Sequence, residues 1–297
     1  MLTLFTLPKP FEGDIGRIQR NALRSWKQLD SDCQVILCGD APDLDDVATE
    51  LSVDRVSGIA RNSYGTPLVS SAFDRVAETA RHDLLCYANT DLIFFSDFTT
   101  AVEAVANQQQ PFLMVGECRD VAVDETLTED DFAVHSPREA ALRLRASTAG
   151  RLRGPEWIDF FVFRRGTIGP LPAFAVGRPG WDNWMIWHAR SSGMSVVDVT
   201  DSALVVHQSH NYTHVPKGTG SRWEGPEADA NRTLLRFEHE FHSIHFATHR
   251  LVGSAVVPKR LDNLRVRLLV TLLGRRSTVP IYRLLRASYR RFAGRPD

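Results

Sequence analysis

Short apolar runs alternate along the first 105 residues with segments whose apolar residues recur at helical spacing. The runs at 2–6, 34–38 and 84–88 are typical of buried strands. Behind Asp14, a predicted N-cap, the segment to residue 29 places Ile18 and Trp26 on one helical face. A further strand is predicted at 53–56, with helices at 43–51 and 68–81. This order predicts an α/β fold whose parallel sheet is covered by helices on both faces.

Polar residues stand where three of these predicted strands end. Thr6 closes the first, Asp40 follows the second, and Asn89-Thr90-Asp91 follow the run at 84–88. Ligands of open α/β sheets bind at the carboxyl ends of the strands, so we expect a site there. The sequence has neither G-x-G-x-x-G after the first strand nor a P-loop motif. If the sheet binds a nucleotide diphosphate, it holds it in another way, the simplest being a divalent cation on a carboxylate such as Asp91.

The pattern is lost over residues 106–155, where we expect an irregular segment. It returns with a predicted strand at 157–166, which holds Asp159 among aromatic residues. "GRPGWDNW" then predicts a glycine-rich loop that enters a helix at Trp181-Asp182. The backbone N–H groups of a first helical turn favour a carboxylate, so Asp182 is either a helix cap or a functional acid.

Seven of the ten histidines lie between residues 207 and 249. His207 ends the apolar run "ALVVH", and His210 and His214 follow it, where imidazoles can bind a metal or a phosphate. "HEFH" at 239–242 is one residue too short for the zinc-protease motif H-E-x-x-H. We expect the later histidines to lie on the faces of a helix, namely His239, His242, His245 and His249.

Charge is distributed unevenly along the chain. Residues 258–297 carry eleven Lys/Arg against two Asp/Glu, whereas the whole chain has a net charge of −1. Leucines and arginines alternate there at helical spacing, which predicts amphipathic helices broken at Pro280. Such a tail favours an anionic membrane surface, docking on the protein, or a homo-oligomer over nucleic acid. Four cysteines without metal-ligand spacing predict reduced core residues.

The stretch "YANTDLIFF" resembles the D-x-D region of nucleotide-sugar glycosyltransferases with the GT-A fold, with Asn89 where the first aspartate usually stands. "GRPGWDNW" followed by "HQSHNYTH" is similar to a little-characterised bacterial and plant group of these enzymes. "QRNALRSW", "VILCGD" and "GTPLV" fit the N-terminal half of that group. The resemblance covers about residues 2–250 and implies a GT-A-like, Rossmann-related mixed sheet; the basic tail would be a helical appendage.

The resemblance also implies a site. A nucleotide-diphosphate sugar would bind at Thr6, Pro8, Asp40, Pro67, Asn89, Thr90, Asp91, Gly180 and Trp181. Mn²⁺ or Mg²⁺ would bind Asp91 together with His207 or His210. In an inverting reaction Asp182 would be the general base, and Asp159 is a second candidate for that role or for binding the acceptor. If neither carboxylate faces the anomeric carbon, the reaction would be retaining.

These implications predict a hexosyltransferase that acts on a glycan or glycolipid acceptor. Residues 1–105 would bind the nucleotide, 106–257 would complete the active site, and 258–297 would form the basic tail. Because the sequence has no leader and no apolar run near the roughly 20 residues of a membrane span, we expect a cytoplasmic protein, peripheral on the inner face of the membrane. A metal-dependent hydrolase and a non-catalytic nucleotide-sugar-binding protein are the alternatives.

Overall fold

Two mixed β-sheets organise the molecule. The computed structural model describes residues 2–133, 136–210, 224–235 and 241–260, with positions 268, 272 and 281. Its strands are β1 (Leu2–Thr6), β2 (Gln34–Cys38), β3 (Asp54–Val56), β4 (Leu84–Ala88), β5 (Leu92–Phe94), β6 (Phe112–Val115), β7 (Arg119–Val121), β8 (Arg151–Leu152), β9 (Phe160–Arg164), β10 (Ser195–Asp198), β11 (Val205–Gln208), β12 (His249–Val252) and β13 (Ala255–Pro258). Its α-helices are α1 (Gly13–Lys27), α2 (Leu44–Leu51), α3 (Val69–Thr79), α4 (Ser96–Gln108), α5 (Pro137–Thr148), α6 (Trp181–Ser191) and α7 (Pro226–Leu234).

The larger sheet has nine strands in the order β13-β12-β10-β6-β9-β4-β1-β2-β3. β1 pairs in parallel with both β2 and β4, whereas β9 runs antiparallel between β4 and β6. The smaller sheet has the order β5-β11-β7-β8. The α/β fold is therefore confirmed, as is the mixed sheet that the resemblance implies. The parallel sheet expected from the alternation of strands and helices is wrong at β9 and β13, which run antiparallel to their neighbours.

Helices cover both faces of the larger sheet because its strands are apolar on both sides. In β1, Leu4 belongs to one hydrophobic core and its neighbour Phe5 to the other. Trp26 of α1 packs into the first core, and Phe73 of α3 packs edge-on against Phe5 in the second. The Trp26 indole also donates a hydrogen bond to the carbonyl of Leu92, 2.9 Å away, which ties α1 to β5.

The prediction of an irregular segment at 106–155 is wrong. Three strands and α5 lie within it, and α4 extends into it from residue 96. Ser136 caps α5 by accepting a hydrogen bond from the backbone N–H of Arg138, and a proline begins that helix. The strands have only two to four residues, too few for their alternation to show in the sequence.

The helix expected for the late histidines is also wrong. A short 3₁₀ turn spans Ile244–Phe246, and His249 begins β12, which pairs with β10. Ile244 and Phe246 are buried, so the apolar positions here do not follow helical spacing. Asp14 does not cap α1 either, because Glu12 is the N-cap and Asp14 lies in the first turn. His214, His239 and nearly all of the basic tail lie outside the described residues.

Cys38, Cys86 and Cys118 are buried and free, as predicted, and Cys33 is half-buried and free. Among the described helices, none combines the length and the apolar character needed to cross a membrane.

Candidate active site

Asn89, Thr90 and Asp91 form the turn between β4 and β5. The strand ends at Ala88, and the backbone N–H of Leu92 donates to the carbonyl of Asn89 across 3.2 Å to close the turn. The three polar residues therefore stand at the carboxyl end of β4, as the sequence predicts. The backbone N–H of Asn89 is also bonded to the carbonyl of Asp159, 2.9 Å away, which brings the approach to β9 beside the turn.

Asp91 lies against two histidines, His207 in β11 and His210 just after that strand. Its Oδ2 is 3.4 Å from Nε2 of His207 and 3.1 Å from Nε2 of His210. The possible ligand atoms of these three residues lie within 4.8 Å of one another. The pairing of β11 with β5 produces this arrangement, because it sets His207 opposite Leu92, the residue after Asp91. We call Asp91, His207 and His210 the metal cluster.

Asp120 orients the His207 ring from the opposite side. Its Oδ1 lies 2.6 Å from Nδ1 of His207, and a carboxylate only accepts, so Nδ1 carries the hydrogen and Nε2 faces Asp91. Burial by itself would lower the pKa of His207, but the carboxylates of Asp91 and Asp120 raise that pKa to about 10. Burial likewise opposes the charge of Asp91, yet His207 and His210 hold the pKa of Asp91 well below its usual range.

The metal cluster fits a divalent transition-metal ion. Asp91 Oδ1 is buried, and within the described part of the chain it has no hydrogen-bond partner. Such an orphaned oxygen beside two imidazoles is a donor set with room for a cation. Mg²⁺ takes oxygen ligands almost exclusively, whereas imidazole nitrogens suit transition metals, so two imidazoles in the cluster favour a transition-metal ion over Mg²⁺.

A polar ring connects the metal cluster to Asp159. Asp159 Oδ1 accepts a hydrogen bond of 2.8 Å from Nδ2 of Asn89, and its Oδ2 lies 3.3 Å from Nε of Arg153. Arg153 in turn donates from Nη1 to Asp120 Oδ1, 3.2 Å away, and stacks on Trp157. The ring comprises Asn89, Asp159, Arg153, Asp120, His207 and Asp91. It gives each carboxylate a nitrogen partner, which matters most for Asp91 and Asp159 because their side chains are largely buried, whereas Asp120 is 42% exposed.

One cavity of about 460 Å³ collects most of the predicted site residues. Its lining includes Pro8, Pro67, Asn89, Thr90, Asp91, Asp159, Trp181, Asp182, His207 and His210. Asp182 lies in the first turn of α6 and is half-buried. The N-cap of that helix is Gly180, but Asp182 Oδ1 accepts the backbone N–H of Asn183 at 3.0 Å, so the carboxylate bonds a first-turn N–H and also lines the cavity.

Three predicted site residues are not in the cavity lining that the described residues form. The buried hydroxyl of Thr6 is 3.0 Å from that of Thr90 and so braces the turn from below. Asp40 accepts hydrogen bonds from the backbone of Gly58 and Ile59, which holds the segment after β3. Gly180 has φ +100°, and a Cβ there would meet Leu235 Cδ1 at 2.7 Å, so only glycine fits.

Sequence reasoning missed several residues of the site. Lys9, Arg61, Arg153, Trp157 and Arg178 line the cavity, and Asp120 supports it from behind. Arg178 lies inside "GRPGWDNW", so that motif could have pointed to it. Asp120 lies within a strand of three residues and Arg153 follows a strand of two, so neither carries a local signal.

No family model and no curated protein matches the chain. Solved structures do: S. aureus TarS 1–349 in complex with UDP-GlcNAc is 10% identical, with 80% of this chain and 72% of that chain covered at a TM-score of 0.50. Glucosyl-3-phosphoglycerate synthase from Mycobacterium tuberculosis in complex with phosphoglyceric acid is 15% identical, with 79% and 78% covered at a TM-score of 0.46. The same synthase in complex with Mn²⁺, uridine diphosphate and phosphoglyceric acid is 14% identical, with 79% of this chain and 77% of that chain covered at a TM-score of 0.43.

At such identities a likeness speaks for the fold alone. The chain thus has an α/β fold with mixed sheets that matches the fold of GT-A glycosyltransferases.

Proposed function

We propose that the protein is a divalent-metal-dependent glycosyltransferase that transfers a sugar from a nucleotide-diphosphate sugar to a hydroxyl of a glycan or lipid-linked acceptor. One observation carries the proposal: the metal cluster and Asp182 line the same cavity, at the carboxyl end of β4. A cation site and a carboxylate facing one cavity are what transfer from a diphosphate to a hydroxyl requires.

The donor diphosphate would bind at the metal cluster. Asp91, His207 and His210 would hold Mn²⁺ or Mg²⁺, which neutralises charge on the departing nucleotide when it is bound. Pro8 gives the cavity an apolar wall for the nucleoside, while Thr6 and Asp40 hold the neighbouring backbone. Pro67 accepts a hydrogen bond from Val176 on the wall that leads to Asp182, so we assign it to the acceptor side and not to the nucleoside. The TarS structure contains UDP-GlcNAc, so a uridine nucleotide is the first donor to test.

Asp182 is the better placed of the two candidate bases. Asp159 is 10% exposed; in the polar ring its Oδ1 accepts a hydrogen bond from Asn89, and its Oδ2 forms an ion pair with Arg153 at 3.3 Å without a hydrogen bond within the described part of the chain. Asp182 lies outside that ring, on the cavity wall. In the proposed step Asp182 accepts the proton of the acceptor hydroxyl, the hydroxyl oxygen bonds to the anomeric carbon, and the bond from that carbon to the diphosphate breaks. Attack from the face opposite the leaving group inverts the anomeric centre.

The remaining parts of the proposal concern organisation. Residues 1–105 would mainly bind the nucleotide, and 106–257 would complete the site and select the acceptor. The basic tail at 258–297 would bring the enzyme to an anionic membrane surface, where lipid-linked acceptors are found, or would join two copies of the chain.

The test is thermal stabilisation of the purified protein by UDP, GDP and dTDP, each with and without Mn²⁺, with CMP as the control that lacks a diphosphate. A ligand that binds the native state raises its apparent stability with concentration. We expect one nucleoside diphosphate to stabilise the protein only with Mn²⁺, and Asp91→Ala to abolish the effect. Stabilisation by Mn²⁺ alone, with no nucleotide effect, would favour the hydrolase and overturn the proposal.

Turnover then separates the enzyme from a binding protein. The nucleotide sugar of the stabilising nucleotide is incubated with a panel of octyl glycosides, and the glycosylated product is measured. Tight binding without product for any acceptor would support the non-catalytic alternative.

A further inference from the structure

Helix α7 packs against the segment that leads into α6. The Asn231 side chain bonds both backbone groups of one residue in that segment, since its Oδ1 accepts from the N–H of Ala175 at 2.8 Å and its Nδ2 donates to the Ala175 carbonyl at 3.0 Å. Leu235, just after α7, lies directly over Gly180. These contacts fix both ends of residues 175–180 on one helix.

Glu227, in the first turn of α7, is hydrogen-bonded to the middle of that segment and to a second segment of the chain. Its Oε2 accepts from Nε of Arg178 at 2.6 Å, and its Oε1 accepts from Nδ2 of Asn62 at 2.7 Å. The side chain is 12% exposed. Burial works against its charge, but the hydrogen bonds from Asn62, Thr66 and Arg178 outweigh burial and lower the pKa of Glu227.

The second segment is a tight hairpin of residues 61–67. Arg61 and Pro67 pair across its base, and the Asn62 side chain accepts hydrogen bonds from the backbone N–H groups of Tyr64 and Thr66. Arg61 and Pro67 both line the cavity, as does Arg178. The hairpin and the 175–180 segment are thus adjacent walls, joined directly by a hydrogen bond from Val176 to the Pro67 carbonyl.

Glu227 stands behind both walls. It is not among the described residues that line the cavity, yet it is bonded to each of the two segments that shape one side of it. That side leads to Asp182, whereas the metal cluster belongs to the β4–β5 turn and β11. A change at Glu227 should therefore act on the Asp182 side and leave the metal side intact.

We propose that Glu227 is a positioning residue that fixes the 61–67 hairpin against Arg178 and so sets the acceptor side of the cavity beside Asp182. The inference rests on the proposed function. Glutamine at this position preserves the volume and can still accept from Asn62, but it turns an N–H₂ group toward the Arg178 guanidinium, where two donors face each other. Arg178 then loses its anchor, and the hairpin is held to the 175–180 segment only by their backbone contacts.

The experiment compares wild type, Glu227→Gln and Asp229→Asn for transfer to the octyl glycosides that wild type uses. Asp229 is the matched control, because it lies on the same helix in an exposed ion pair with Arg232. We expect Glu227→Gln to reduce kcat/KM for the acceptor at least tenfold, while its affinity for UDP with Mn²⁺ stays within about twofold of wild type. Asp229→Asn should match wild type in both.

Two further measurements separate positioning from loss of folded protein. A purely structural role would lower the fraction of active protein and reduce the apparent kcat in proportion. The acceptor KM and the hydrogen exchange of the folded fraction would then stay unchanged. Positioning instead predicts faster exchange at both 61–68 and 175–182. Arg178→Lys keeps the positive charge but lacks the guanidinium fork, so it should reproduce the acceptor defect even if Glu227→Gln folds poorly.

The outcomes are distinct. If wild type transfers sugar and both Glu227→Gln and Arg178→Lys match its acceptor kcat/KM, this inference is overturned and the proposed function stands. Absence of transfer by wild type to every glycoside overturns the proposed function and this inference with it.

Discussion

Asn89 donates a hydrogen bond from its side-chain amide to Oδ1 of Asp159, 2.8 Å away. This contact accounts for an amide at position 89, where the resemblance to the D-x-D pattern would place an aspartate. A carboxylate at position 89 would face another carboxylate in a site with little water, and neither group could donate. The departure from the pattern is thus matched by Asp159, a partner 70 residues away.

We predict that Asn89→Asp, which restores the D-x-D pattern, destabilises the protein. The substitution removes a donor and places two negative charges together, so the free energy of unfolding at pH 7 should fall by about 1–3 kcal/mol. Urea denaturation measures the change. Asn107→Asp, at an exposed position of α4, is the control and should have little effect. Unchanged stability of Asn89→Asp would contradict the role given to this contact.

Asp120 should control metal affinity without touching the metal. It fixes the tautomer and orientation of His207 through a contact of 2.6 Å, and partners of this kind typically change metal affinity by about 10–100-fold. We therefore expect Asp120→Asn to weaken Mn²⁺ binding by such a factor, as measured by calorimetry. Asp124→Asn, at an exposed position on the same segment, should bind Mn²⁺ as wild type does. Equal affinity in the two variants would exclude the supporting role.

The sequence predicts those parts of the molecule whose signal is local. β1, β2 and β4 are apolar on both faces and end in polar residues, so their place and the role of Asp91 follow from a few neighbouring positions. His207 and Asp120 meet because β11 pairs with β7, and that pairing joins residues 87 apart. No local pattern encodes it. The helix predicted for the late histidines is wrong for a related reason. The spacing of the histidines does not encode the packing of Ile244 and Phe246 in the core.

Asp182→Asn should separate binding from chemistry. Asparagine keeps the shape of the side chain but cannot accept the proton of a hydroxyl, and loss of a general base costs about 10²–10⁴-fold in rate. We expect transfer to fall by that factor while UDP with Mn²⁺ stabilises the variant as it does wild type. Asp45→Asn is the control, because Asp45 lies in the first turn of another helix, α2, and is exposed. Wild-type turnover by Asp182→Asn would remove Asp182 from the mechanism.

Glu227 should make stability depend on pH. Its pKa is lowered in the folded protein by bonds from Asn62, Thr66 and Arg178 that outweigh burial, so the unfolded chain takes up a proton at higher pH than the folded one. The stabilisation is therefore complete above the ordinary pKa of 4.5 and is lost as the pH falls through the lower, folded value. Glu227→Gln cannot ionise and should lack this dependence.

The difference in unfolding free energy between wild type and Glu227→Gln should then be largest near pH 7 and shrink as the solution is acidified below about pH 4.5. Urea denaturation of both proteins at several pH values measures it. The Asp229→Asn pair should differ little throughout, since that ion pair is exposed and contributes little. A wild-type advantage that stays constant from pH 7 to pH 4 would mean that glutamate acts at position 227 through packing, without its charge, and that the bond to Arg178 does not hold the two walls together.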